Sequence, residues 1–280
     1  MRLSRLALPV FAVACTFTSS AHAVENGPAP TVSSVRADAG SYSVSKTSYA
    51  DNVTPGFGAA TVYAPSNTTG QKFGVVSFAP GWTENQSAVD WIARRTASFG
   101  FVTIVFDVNN TFFDFPAARA PQLIAALNFV TGTSNQRNLA DASREAVVGH
   151  SMGGGATLDA ARANPSLKAT VGLAPWNPGI SYSDVTVPSL EIGAQNDFIA
   201  GVSNNARYFY NSLPGSTPKA YTEMKSFGHL QTNYPSAQVG AATVSWLKRY
   251  VDGDTRYAPF ICGAHTGVQN SELSAYASNC

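Results

Sequence analysis

The sequence predicts the α/β class: a mostly parallel, twisted sheet with helices on both faces. Three observations carry that reading. Short apolar runs alternate with helix-length segments along most of the chain. One of the runs, Phe101–Phe106 (FVTIVF), is apolar almost throughout, as a strand buried on both faces must be. The chain has 280 residues, 44% hydrophobic and 12% charged, which supplies ample core for one large domain and excludes a disordered polymer.

The elements follow in order. Residues 24–40 are small and polar and read as a surface arm. Gly58–Ala64 and Phe73–Ala79 read as strands, and their short separation allows this first pair to run antiparallel at one edge. Ser87–Ser98 reads as a helix, Phe101–Phe106 as a strand and Ala118–Val130 as a helix. Ala146–Gly149 is a strand, and Gly154–Ala163 a helix stopped by Asn164-Pro165. Ala169–Leu173 and Ser189–Gly193 are strands, Asn204–Ser212 a helix, and Ala220–Met224 a strand. Ala237–Tyr250 closes the pattern as a helix. No repeat or low-complexity linker divides the chain, so residues 24–280 are expected to form a single domain.

The first 23 residues read as a leader that is removed. Arg2 and Arg5 precede the mostly apolar stretch Leu6–Phe17, and Ala21-His22-Ala23 is an A-x-A cleavage site. The apolar stretch is shorter than the roughly 20 residues a membrane span needs. Lipidation at Cys15 is the alternative, disfavoured because Ala12 stands where a lipoprotein signal usually has Leu. Cleavage after Ala23 removes two of the 18 basic residues and moves the formal net charge from +1 to −1. Neither value gives the electrostatic footprint of a nucleic-acid or anionic-membrane partner. Export leaves Cys262 and Cys280, an even count in an oxidising compartment, and a disulfide between them is expected over two unpaired thiols. No His/Cys cluster has zinc-like spacing.

Gly149-His150-Ser151-Met152-Gly153 is G-x-S-x-G, preceded by a strand (Arg144–Val148) and followed by a small-residue helix. That is the strand–turn–helix context of a nucleophile elbow, not an incidental Gly-rich turn. A serine hydroxyl needs a base within hydrogen-bond reach, and the chain has only four histidines. His22 leaves with the leader, and His265 lies beyond the last helix inside the cysteine loop. His150 adjoins the serine but is expected to point away and pack beside the cleft. His229 follows the strand Ala220–Met224 and precedes the last helix, where the base of a Ser–acid–His order sits. The acid should follow a strand between Ser151 and His229. Glu191 and Glu223 fall inside strands and Asp184 lies before one, whereas Asp197 comes just after Ser189–Gly193. Asp197 is therefore the expected acid, against the alternative of an Asx-turn or helix cap. The backbone N–H groups of Met152 and of Trp82, in Pro80-Gly81-Trp82, are the expected oxyanion donors.

These stretches resemble the bacterial cutinase-like polyester hydrolases, the group that contains PET hydrolases and related secreted triacylglycerol lipases. The resemblance is carried by Gly58–Tyr63 with Pro65, APGWTENQS (79–87), GHSMGGGAT (149–157), APW (174–176), GAQNDFIA (193–200) and SWLKRYVDGDTRYAPFIC (245–262), in the family's order over nearly the whole mature chain. It implies an α/β-hydrolase fold, ester hydrolysis and no cofactor. Ser151, Asp197 and His229 match the triad, and Trp82 and Met152 the oxyanion positions. Trp176 matches the aromatic that flanks substrate, and Ile199 a pocket-lining position. Three departures stand out. The segment Leu230–Pro235 differs from the family's usual stretch, with Leu230 expected to border the cleft. Ala194 and Gln231 stand where some relatives carry a second disulfide or acidic calcium ligands, so neither feature is expected here. Thr111–Pro116 is unusually aromatic, which suits core packing as well as substrate contact.

Only 15 residues lie between Leu173 and Ser189, and no other connection is long enough for a cap. The expected site is thus an open groove without a lid, lined by Trp82, Trp176, Phe198, Ile199 and Leu230 and suited to a bulky or polymeric ester. The expectation is a secreted serine esterase acting on short- and medium-chain esters and polyesters, with no assembly motif and so a monomer. The alternatives are a triacylglycerol lipase with longer acyl preference, a peptidase or dienelactone-type hydrolase, and a non-catalytic polymer-binding module.

Overall fold

The computed structural model describes residues 23–263 and 270–280. The proposed leader through His22, with Cys15, and the loop residue His265 lie outside them. Among the described residues nine strands form one sheet in the order β1 (Val44–Tyr49), β2 (Ala60–Pro65), β4 (Phe101–Phe106), β3 (Phe73–Ala79), β5 (Ala140–His150), β6 (Ala169–Leu173), β7 (Ser189–Ala194), β8 (Lys219–Met224) and β9 (Leu273–Ser278). From β4 through β8 every neighbouring pair is parallel, and β1, β2 and β9 are antiparallel to their neighbours.

Alternation along the central strands divides the core into two layers. Val75 faces the cluster built on α3 (Pro116–Gly132) and α4 (Met152–Ala163), with Leu123, Leu127 and Leu158. Its neighbour Val76 faces the opposite cluster, on α2 (Asp90–Ser98) and α6 (Ala237–Tyr250), with Ile92, Trp246 and Leu247. α5 (Ala206–Ser212) packs Phe209 into the first layer. Among the described residues no cap or lid is inserted between β6 and β7.

Two sequence expectations are corrected. The first two apolar runs, β2 and β3, are not partners: β4 lies between them, antiparallel to β2 and parallel to β3. β3 is buried along its whole length and takes an interior place, which leaves the antiparallel edge to β1, β2 and β4. The arm at 24–40 also carries structure. Thr31 caps a short helix, α1 (Val32–Arg36), whose Val35 is buried against Ala241 and Val244 of α6. β1 and β9 went unread because their short runs of small and polar residues show no long apolar signal. A disulfide joins Cys262 and Cys280, with Cα atoms 5.3 Å apart, and ties the end of β9 to the turn that follows α6.

Candidate active site

The carboxyl ends of β3, β5, β6, β7 and β8 supply the site. β5 turns into α4 at Ser151, which sits at φ 52°, ψ −118°, a backbone conformation that costs a non-glycine residue energy. The turn is possible only because its flanks lack side chains: a Cβ on Gly149 would fall 2.2 Å from the Gly153 carbonyl, and one on Gly153 would fall 2.3 Å from that of Ala79. Ser151 is held from both sides, its N–H donating to Leu173 at 3.0 Å and its carbonyl accepting from Trp176 at 2.8 Å.

The Ser151 hydroxyl donates to His229 Nε2 at 2.8 Å, and His229 Nδ1 donates to Asp197 Oδ2 at 2.8 Å. All three side chains are buried, in the chain order Ser, Asp, His. The second oxygen of Asp197 accepts the backbone N–H groups of Ile199 at 2.9 Å and Ala200 at 2.7 Å. Burial pushes the Asp197 carboxyl up, but the bonds from His229 and these two amides outweigh it and hold its pKa below the ordinary value. The group therefore stays ionised and fixes the imidazole with Nε2 free to take a proton. Asp184 lies elsewhere, in a surface ion pair with Arg162 at 2.7 Å.

The N–H groups of Met152, the first residue of α4, and of Trp82 are committed to no acceptor among the described residues. A Cβ on Gly81 would stand 3.0 Å from the Ser151 Cβ, so the loop after β3 runs directly past the nucleophile. Among the described residues five non-glycine residues adopt positive φ, and Thr83, Ser151, Ala174 and Ser226 of these lie in loops at this end of the sheet. Strain gathered where the loops converge is a frequent mark of a functional site.

Residues 18–280 match the model of a family described as PET hydrolase-like. The chain belongs to the PET hydrolase-like family. It is 46% identical to a bis(hydroxyethyl) terephthalate hydrolase of Streptomyces coelicolor over 91% of this chain and 82% of that protein. It is also 45% identical to the cutinase est1 of Thermobifida alba, over 93% of this chain and 88% of the relative. A cutinase of Thermobifida fusca is 41% identical, over the full chain and 94% of that relative. This PET hydrolase-like chain is a carboxylic-ester hydrolase.

The structure of this PET hydrolase-like chain brings three of the five expected lining residues, Phe198, Ile199 and Leu230, to one cleft beside His229. Ile199 and Leu230, 63% and 51% exposed, border a cleft of about 600 Å³ with His229, Phe198, Gly228 and Tyr234. Trp82 and Trp176 join a second aromatic group. Trp82 meets Phe112 edge to face with ring centres 6.5 Å apart, and its indole N–H donates to the Phe112 carbonyl at 3.2 Å. Trp176 lies 6.5 Å from the Phe115 ring. The aromatic turn at 111–116 is therefore not core: Phe112, Phe113 and Phe115 are all more than half exposed. A depression of similar volume between Asp38, Tyr63 and Arg94 lies on other elements and holds no nucleophile–base pair.

Sequence reasoning missed Glu84. Its carboxylate accepts from the Gly81 N–H at 2.6 Å, from His150 Nδ1 at 2.9 Å and from Asn233 Nδ2 at 2.7 Å. His150 is thus more than packing beside the cleft, because its Nε2 also donates to the His229 carbonyl at 3.2 Å. The available signal was a carboxylate three residues after Gly81 of the loop that follows β3, close enough to reach back to its amide.

Proposed function

We propose that Ser151, His229 and Asp197 hydrolyse carboxylic esters by two-step acyl transfer, with Trp82 and Met152 as oxyanion donors. Ser151 Oγ attacks the ester carbonyl as its proton passes to His229 Nε2, and Asp197 stabilises the imidazolium. The developing oxyanion takes the Trp82 and Met152 N–H groups. On collapse the bond to the alcohol oxygen breaks and His229 hands its proton to that oxygen, leaving Ser151 acylated. Water then attacks the acyl carbon while His229 takes its proton, and the acid leaves as the proton returns to Ser151. The observation that carries this reading is the unbroken Ser151–His229–Asp197 hydrogen-bond chain at a strained elbow.

The substrate class we assign is short- to medium-chain esters and polyesters, aromatic polyesters included. An open cleft without a cap, bordered by exposed apolar side chains, supports a chain-like or bulky neutral ester. The names of the relatives, a terephthalate-ester hydrolase and cutinases, point the same way. Trp176, Ile199 and Leu230 would contact the acyl side, with Trp82. We further assign residues 24–280 to one secreted domain after cleavage near Ala23, acting as a monomer. No helix among the described residues is long and apolar enough to cross a membrane.

The test is a series of p-nitrophenyl esters from acetate to palmitate beside aliphatic and aromatic polyester films. Preference for short and medium chains with release of soluble film products is expected. Activity on long chains alone, with films intact, would instead indicate a lipase. Ser151→Ala should abolish both activities while the fold is retained, and near-normal turnover in that variant would overturn the triad.

A further inference from the structure

Two consecutive peptide groups of the oxyanion loop are held by side chains that take no part in the triad. Arg119, fully buried at the start of α3, donates through Nη1 to the Pro80 carbonyl at 2.9 Å and to the Gly81 carbonyl at 3.0 Å. Glu84 accepts the N–H between those carbonyls, that of Gly81, at 2.6 Å. The Gly81 carbonyl and the Trp82 N–H belong to one planar trans peptide and point in opposite directions. Fixing the carbonyl on Arg119 therefore aims the N–H.

Glu84 also connects this loop to the base. The same oxygen that accepts Gly81 accepts His150 Nδ1, and His150 Nε2 reaches the His229 carbonyl, the two imidazole rings lying 4.8 Å apart. The other oxygen holds Asn233, at the end of the turn that carries His229. The two nitrogens of His150 thus bridge the Glu84 carboxylate and the His229 backbone. The other charged or titratable groups near the pair are Arg119, His229 and, through His229, Asp197.

We propose that Glu84 is a positioning residue for the ester hydrolysis: with Arg119 it aims the Trp82 N–H at the developing oxyanion, and through His150 it keeps that donor in register with His229. The proposal rests on the triad reading above. It assigns Glu84 no contact with substrate, so its removal should act on the transition state and not on ground-state binding. Burial pushes the Glu84 carboxyl up, but the bonds from His150, Gly81 and Asn233 outweigh it and hold it below its ordinary pKa, in keeping with a permanent charge at this position.

The experiment uses the mature enzyme with p-nitrophenyl butyrate, with rates expressed per active site titrated by a fluorophosphonate. Glu84→Ala should lower kcat about 10- to 100-fold, less than the loss of an oxyanion donor itself, with KM changed by no more than about 2-fold. Glu84→Gln keeps the shape and an acceptor for Gly81 but not the charge, and should fall between the wild type and Glu84→Ala. It also carries the test if Glu84→Ala does not fold. If both variants keep kcat within about 2-fold per titrated site, or if the loss lies wholly in KM, Glu84 does not position the oxyanion donor. Full activity in Ser151→Ala, or labelling at another residue, would instead bring down the triad reading on which the proposal stands.

Discussion

Glu191 is a carboxyl in the middle of β7 with no exposure to solvent, and neither of its oxygens takes a hydrogen bond from the described residues. It lies over Gly172 of β6, where a Cβ would come within 2.4 Å of its Oε2. Burial alone raises its pKa well above the ordinary value, so the folded protein holds it neutral. The unfolded chain gives up that proton at the ordinary value. Stability contributed by the neutral form is therefore intact below the unfolded pKa and is lost as pH rises toward the folded one. In that window the native state binds one more proton than the unfolded state, and the loss is about 1.4 kcal/mol per pH unit. For a domain of this size that corresponds to a fall in melting temperature of roughly 3 to 5 °C per pH unit. Glu191→Gln removes the ionisation and keeps the shape. Scanning fluorimetry of both proteins as pH is raised above the ordinary carboxylate range should give curves that diverge at up to that slope, the variant becoming the more stable as pH rises. Subtracting one curve from the other cancels every other titration. Parallel curves would refute the reasoning, because they would require Glu191 to titrate alike in the folded and unfolded chains.

Two other outcomes follow from the same geometry. Asp197→Asn should reduce kcat by about 10⁴-fold by losing the imidazole orientation, whereas Asp184→Asn, in its surface pair with Arg162, should leave turnover within about 2-fold; the two rates on a soluble ester decide between the acids. Replacing Cys262 and Cys280 by serine opens a loop of sequence separation 18 and should cost about 3 kcal/mol, or roughly 6 to 12 °C in melting temperature, while turnover at 25 °C is retained; an unchanged melting temperature would mean that β9 is held by its ladder with β8 alone.

What could be read from the sequence was whatever has a local cause. β3, β4 and β6 lie on the expected residues because a strand buried on both faces must be apolar along its length. The elbow was legible because close backbone approach allows only glycine at 149 and 153. The hydrogen-bonded grouping of His229 and Asp197 with Ser151 could be anticipated because few residues of the right chemistry follow the right strands. What escaped depends on partners distant in sequence. β1 becomes a strand through its ladder with β2, and β9 through its ladder with β8. The insertion of β4 between β2 and β3 is a choice among pairings, which no single run encodes. Glu84 is an ordinary loop carboxylate until folding brings His150 and Asn233 to it from residues 66 and 149 positions away. The aromatic turn at 111–116 had composition suited to a core. It is exposed instead because Arg119 and the Thr83–Thr111 backbone bond fasten it beside the oxyanion loop.

The lack of a cap among the described residues and the network behind the site are connected. An enzyme that closes a lid over its substrate can assemble its donors at that moment, using binding energy to do so. Among the described residues no such segment lies between β6 and β7, so the proposed donors would have to be aimed already in the open state. A loop that carries an oxyanion donor at an exposed surface would otherwise sample many orientations. Here its peptides are fixed by a buried guanidinium on one side and a carboxylate on the other, and neither partner faces the cleft as substrate lining. The left-handed Thr83 within that loop is strain of the kind that persists only where surrounding bonds determine the conformation. On the proposed function, an open groove for a polymer chain and a firmly held loop after β3 are two requirements met by one arrangement. Loosening Glu84 should therefore impair soluble and polymeric esters alike, because the bond-breaking step is common to both.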